Sequence, residues 1–162
     1  MFNLKSEIYL KIIFLFSLIA LISAYFIEHV LGYQPCNLCL IQRIPYWFSI
    51  IFISILFLVK KNEKFFILLI ILTFIFSFAI SLYHFGIEQG FFQESAVCGV
   101  ENFSESITKE ELLNKLSKKI ISCKDVTFKV FGLSLTTINM VVSILFIITL
   151  SKLFINYEKN KQ

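Results

Sequence analysis

The chain has 162 residues, of which 57% are hydrophobic and 16% charged, with a formal net charge of +4 and a mean hydropathy of +0.81. The charged share is below the roughly 25% usual for soluble domains, and a chain this short cannot hide so much apolar surface in a water-soluble core, so lipid is the expected solvent. The basic residues are scattered and there is no phosphate-cradling glycine loop or aromatic-interleaved basic patch, which argues against nucleic acid as a partner.

Four apolar runs follow in chain order, at about 8–27, 41–59, 65–83 and 133–155. A membrane span needs about 20 apolar residues; runs one, three and four meet this, and run two does so only with its flank Leu38–Ile41. Run one, behind Lys5 and Lys11, resembles a secretory leader, but it is longer than a leader's apolar core and no small-residue cleavage site follows it. It is expected to stay as the first span. Buried helices of a soluble protein are the blander alternative for these runs.

Charge sets the orientation. Lys5 and Lys11 precede span one, Lys60-Lys-Asn-Glu-Lys64 links spans two and three, and Lys152, Lys159 and Lys161 mark the C-terminal tail. The positive-inside rule puts all three on the cytoplasmic side, leaving loops 28–40 and 84–132 outside. The second of these holds six lysines and seven acids and does not oppose that assignment.

The first outer loop carries Q34-P-C-N-L-C-L-I-Q-R43. A Cys-X-X-Cys spacing brings two thiols onto one turn. Pro35, with no amide proton and a fixed φ, suits the start of a helix, which would put Cys36 where unpaired amides favour a thiolate. If the helix continues, Arg43 lies one turn beyond Cys39 on the same face. A passive staple is the alternative for the pair, although so short a loop constrains little unfolded chain. For Arg43 the alternative is an anchor at the lipid headgroups.

Cys98 and Cys123 lie in the second outer loop, separated by 24 residues. Thr108 with Glu111 forms a capping box, and Leu112, Leu113, Leu116 and Ile120 give the following turns an apolar face suited to the membrane surface or to covering the span ends. The spacing leaves open whether this second pair is a permanent clasp or an exchange site. All four cysteines fall outside, where an even count favours disulfides. A four-thiolate zinc site is the chemical rival, though the second pair lacks close knuckle spacing; haem is weaker still, because neither His29 nor His84 completes a C-x-x-C-H sequence.

The motifs H29-V-L-G-Y-Q-P-C-N-L-C-L-I-Q-R43, Y83-H-F-G-I-E-Q-G90, Cys98-Gly99 and Cys123 followed by F131-G-L-S134 together resemble the bacterial disulfide bond formation protein B family, over nearly the whole chain. The resemblance implies an all-α membrane protein, a four-transmembrane-helix bundle in the bacterial inner membrane. Both termini would be cytoplasmic and both redox loops periplasmic, the second loop carrying the short amphipathic helix. It implies an enzyme that reoxidises a soluble periplasmic thioredoxin-like disulfide oxidase and passes the electrons to ubiquinone or menaquinone, acting as a monomer.

By the same resemblance, Cys39 engages the quinone and Cys36 exchanges with the second loop. Arg43 lies beside the quinone with His84 near it, Cys98 is attacked during exchange with the oxidase, and Cys123 is its partner. No metal is implied. The chain departs from relatives at L135-T-T-I138, where many have methionine, proline and tryptophan, and at Phe128, where tryptophan is common. A membrane scaffold with structural disulfides and a four-cysteine zinc module are the competing functions.

Overall fold

The computed structural model describes residues 4–59, 62–94, 98, 122–124, 128–130 and 132–159. The expected amphipathic helix at Thr108–Ile120 lies outside these residues.

The fold is helical: α1 (Leu4–His29), α2 (Asn37–Ile41), α3 (Ile44–Val59), α4 (Glu63–Glu88) and α5 (Leu135–Lys159), with one two-residue hairpin, β1 (Lys129–Val130) and β2 (Leu133–Ser134), before α5. Four helical stretches are long and apolar enough to cross a membrane: Ser6–His29, Asn37–Val59, Glu63–Glu88 and Leu135–Asn156. This is the expected four-span bundle. The largest interface joins α4 to α5; α3 packs on α4 and α1 on α3.

The distribution of side chains is inverted relative to a soluble bundle. Ile8, Ile12, Leu15, Ile19 and Ile22 of α1 point outward, as do Phe76 of α4, Leu145 of α5 and Leu58 of α3, the last 83% exposed. Ser17, Ser49, Ser77, Ser81 and Ser143 are fully enclosed. Lipid does not drive apolar faces together, so small residues that let backbones approach, and hydroxyls that bond across helices, take the interior.

Those hydroxyls form a seam. Ser17 meets Ser49 at 3.3 Å, joining α1 to α3. Tyr46 donates to Asn139 Oδ1, joining α3 to α5. Asn139 Nδ2 donates to Ser81 Oγ at 2.6 Å, and Ser143 to Ser77 at 3.0 Å, joining α5 to α4. The surplus hydroxyl protons return to their own helices, Ser17 to Ile13 O and Ser81 to Ser77 O, both at 2.8 Å. Alongside the seam lies an apolar cluster of Leu10, Ile13, Ile53, Leu56, Ile67, Ile70, Phe74 and Leu150. There the Phe74 ring makes edge contacts with Tyr46 at 6.1 Å and Phe146 at 4.9 Å.

The hairpin aims α5. Gly132 adopts φ +83, a left-handed turn that a side chain would strain, and Lys129 pairs with Ser134 across the strands. Ser134 Oγ then accepts from the Thr137 amide at 3.2 Å, satisfying one free donor of the first turn of α5. The G-L-S portion of the sequence motif is thus a turn followed by a helix cap.

Asn139 is the one side chain in the seam that bonds two other helices at once. Replacing it with leucine should lower bundle stability by about 1–2 kcal/mol, at roughly 0.6 kcal/mol for an average interhelical bond and up to about 1.7 for a strong one. The check is the denaturation midpoint in detergent; an unchanged midpoint would mean the seam does not hold the helices.

Candidate functional site

Pro35 precedes the turn, and Cys36 is the N-cap of α2, with φ −71 and ψ 167. Its sulfur accepts the Cys39 amide at 3.3 Å, a position usually filled by a Ser, Asp or Asn oxygen. The same turn brings Cys39 Sγ to 2.8 Å from Cys36 Sγ, with both residues as thiols. Cys36 is buried and Cys39 is half-buried.

The α2 helix stops at Ile41. Pro45 can give no amide proton to the Ile41 carbonyl, and its ring crowds that position. The chain therefore turns at Gln42 and Arg43 before α3 begins. The continuous helix that would align Arg43 with Cys39 is not formed. The guanidinium lies against α1 instead, 2.5 Å from Glu28 Oε2 and 5.1 Å from the centroid of the Tyr25 ring. Gln42, by contrast, is buried and faces α4.

What it faces is His84, 2% exposed on the last turns of α4. Nδ1 lies 3.1 Å from Gln42 Nε2 and 3.1 Å from Thr136 Oγ1. An amide N–H and a hydroxyl both directed at Nδ1 make it the acceptor, so Nε2 carries the proton. Nε2 lies 3.7 Å from Cys36 Sγ, 3.3 Å from the Cys123 carbonyl and 3.8 Å from Glu88 Oε1. One imidazole therefore touches the turn after α2, α5, Cys36 of the first cysteine pair and the backbone of the second.

Cys98 and Cys123, 1% and 2% exposed, close the site, packed with Cys36, Leu38 and Ile87 in one cluster edged by Cys39, Ile41, Ile80 and Tyr83. Glu94 holds the Cys123 turn: its Oε1 accepts from the Lys124 amide at 2.8 Å and from the Ser122 hydroxyl. Tyr33, three residues before Cys36, packs on Phe128 at 5.3 Å and ties the two loops together. Gly86 is required by a close approach: a Cβ there would stand 2.2 Å from the Phe92 ring, which stacks on Tyr83 at 5.7 Å.

The electrostatics separate the cysteines. The Cys39 thiol's hydrogen bond, seconded by His84, brings the Cys36 thiol down to about 4 against the cost of burial. Burial, then the contact with Cys98 and the negative charge of Cys36, pushes the Cys123 thiol above the ordinary thiol range. The arrangement is a thiolate at Cys36, reachable by a thiol on either side. Metal-ligand convergence, among the described residues, involves Cys36, Cys39 and His84, whose donor atoms lie within 4.8 Å of one another. It does not gather the four thiols.

The surroundings also fit a flat apolar ring arriving from the lipid. Cys39 is the less buried residue of its pair, and Leu40, Ile44 and Trp47, its neighbours in the chain, expose apolar surface. Cys39, Arg43 and His84 are the residues that would hold such a group.

Gln42, Thr136, Glu28, Tyr25, Glu88 and Glu94 were not singled out from sequence. Gln42 and Glu88 lie inside the sequence motifs, and Thr136 is part of the departure at Leu135–Ile138; in the structure that departure supplies a hydroxyl to His84.

Comparison with known proteins returns the family described as "Disulfide bond formation protein DsbB", whose profile matches residues 6–152. The chain is also 30% identical over 147 residues to "Uncharacterized protein RP370" of Rickettsia prowazekii (strain Madrid E), covering 90% of this chain and 86% of that one.

In the reduced protein, the Cys36 thiolate should persist as pH falls and disappear only near about pH 4. The unfolded thiol titrates near 9.0, so the folded state binds fewer protons across that window. Stability should therefore rise with pH from about 4 and be fully gained above about 9. Far-ultraviolet thiolate absorbance, with Cys36→Ser as blank, reads the titration; an ordinary thiol midpoint would remove the thiolate from the site.

Proposed function

The chain belongs to the DsbB family of disulfide bond formation proteins, and we propose that it reoxidises a soluble periplasmic thioredoxin-like disulfide oxidase and delivers the electrons to membrane quinone through its two cysteine pairs. The observation that carries this reading is the packing of Cys36, Cys98 and Cys123 into one buried cluster edged by Cys39, with the Cys36 and Cys39 sulfurs in contact.

The cycle balances as follows. A thiolate of the reduced oxidase attacks Cys98 in a Cys98–Cys123 disulfide, and Cys123 leaves. The oxidase's second thiolate then resolves the mixed disulfide, leaving the oxidase two electrons poorer and Cys98 and Cys123 as thiols. Cys123 attacks Cys36 in a Cys36–Cys39 disulfide, expelling Cys39. Cys98 next attacks Cys123, which restores the second pair and releases Cys36 as a thiolate. The two electrons now rest on Cys36 and Cys39. Ubiquinone or menaquinone, when bound, supplies the two-electron, two-proton acceptor.

The residues suit these steps. Thiol exchange proceeds faster when the leaving sulfur is stable as a thiolate, and the Cys39 and His84 contacts give Cys36 that stability when it is released. Nε2 of His84 stands where a proton can pass between Cys36 and Glu88. Arg43, held by Glu28 so that no net buried charge is added, would offer its cation to a bound quinone. Since Cys98 is covered in this arrangement, the oxidase must displace its cover to reach the sulfur. The lysines flanking the spans support an orientation with both termini cytoplasmic and both cysteine loops periplasmic. A single chain holds the whole set.

The test is quinone reduction by the purified chain in detergent, supplied with a reduced thioredoxin-like oxidase. Turnover should fall at least a hundredfold in each of Cys36→Ser, Cys39→Ser, Cys98→Ser and Cys123→Ser, the order of loss when a nucleophile acting in series is removed (roughly 10²-fold or more). In Cys98→Ser, which lacks the resolving thiol, non-reducing peptide mapping should find Cys36 joined to Cys123. Full activity surviving Cys98→Ser or Cys123→Ser would reduce the second pair to a structural clasp.

A further inference from the structure

The donor set at the centre of the site has a second chemistry. Two sulfurs and one imidazole nitrogen face one another, with Cys36 Sγ 2.8 Å from Cys39 Sγ and 3.7 Å from His84 Nε2, and all three within 4.8 Å. A zinc ion takes sulfur at about 2.3 Å and nitrogen at about 2.0–2.1 Å in a tetrahedron, which sets donors roughly 3.4–3.8 Å apart. The Cys36–His84 separation already matches. The sulfurs need to part by about 1 Å, which a small χ1 rotation of half-buried Cys39 provides.

The outer shell fits as well. A metal-binding imidazole uses the lone pair on one nitrogen and donates the N–H of the other to an oxygen. Both groups at Nδ1 can supply that oxygen: Thr136 through its hydroxyl, and Gln42 by rotating its amide. With Nδ1 protonated, Nε2 is free to ligate. Leu38, Ile80, Tyr83 and Ile87 wall the site with apolar surface.

We propose that the reduced Cys36–Cys39 pair, together with His84, captures a thiophilic divalent cation of the zinc class, and that capture arrests turnover. The ion binds only the reduced chain. A disulfide removes both thiolates, and its 2.03–2.05 Å bond holds the sulfurs far too close for two metal bonds. Nothing is oxidised or reduced in the capture; the two electrons stay on sulfur, any thiol proton is released, and the fourth position is left to water. The arrest rests on the reading of Cys36–Cys39 as a redox pair. The capture depends only on the donors. This three-donor site differs from a four-thiolate structural zinc centre, because Cys98 and Cys123 are not in the converging set.

The full-length chain in detergent, reduced, freed of reductant under argon and titrated with Zn²⁺, is assayed for metal after desalting; Co²⁺ serves as a coloured substitute. About one ion per chain is expected in the reduced protein, and under a tenth of that in the oxidised protein, in Cys36→Ser and in His84→Asn, with Cys98→Ser keeping its ion. Should a variant fail to fold, the parent alone answers by alkylation: Zn²⁺ should lower labelling of Cys36 and Cys39 at least tenfold, leave that of Cys98 where it was, and be reversed by a chelator. Equal binding by the oxidised chain overturns the site, as does binding that survives His84→Asn or is lost in Cys98→Ser as fully as in Cys36→Ser. Turnover that continues unchanged at saturating Zn²⁺ sinks the arrest and leaves the redox reading standing. Metal confined to the reduced chain, with no quinone reduction under any condition, sinks the redox reading and leaves the site standing.

Discussion

The active end of this molecule is organised by one buried imidazole. His84 is held at Nδ1 by Gln42, in the turn after α2, and by Thr136 of α5, and the Gln42 amide N–H directed there leaves Nε2 to present its proton to Cys36 and the Cys123 carbonyl. In a site closed to water, an unpaired polar atom costs several kcal/mol. The ring therefore cannot turn without stranding partners on both sides. The two cysteine loops, far apart in the chain, are brought into register because both must satisfy the same nitrogen.

The bundle beneath is built to hold that ring still. Asn139 and Ser81 lie one turn below Thr136 and His84 on the same two helices, so the hydroxyl seam joining α4 to α5 is continuous with the wall of the site. Deeper in the bundle the interior is aliphatic and aromatic, through Ile67, Ile70, Phe74 and Leu150. His84 and its hydrogen-bond partners thus sit at one end of this apolar packing. Lipid as the solvent explains both features: apolar residues face outward at no cost, while each interior hydroxyl must find a partner within the protein.

Pro45 has an effect out of proportion to its size. It ends α2 after five residues, and the two residues of the turn that follows take different partners. Gln42 turns in to His84, and Arg43 turns out to Glu28 and Tyr25. The cation is bound to α1, so the first helix, which carries no cysteine, is tied to the turn that follows Cys39.

Much of this was legible in the amino-acid order. Span number follows from runs of about 20 apolar residues, because the thickness of a bilayer is a length that composition alone can meet or miss. The cysteine spacing and the motifs around Cys36, Cys39, Cys98, Cys123, Arg43 and His84 are local patterns that survive being read in one dimension. Tertiary structure alone decided which of these residues meet. Helical spacing suggests Arg43 as a neighbour of Cys39, but it could not show that the guanidinium pairs with Glu28 of α1. Thr136, Gln42, Glu28 and Glu94 are ordinary polar residues in sequence; each gains its place from a partner between 15 and 52 positions away. Hydrophobic length is a property of a segment and can be read from it, whereas hydrogen-bond satisfaction in a dry interior is a property of the packed whole.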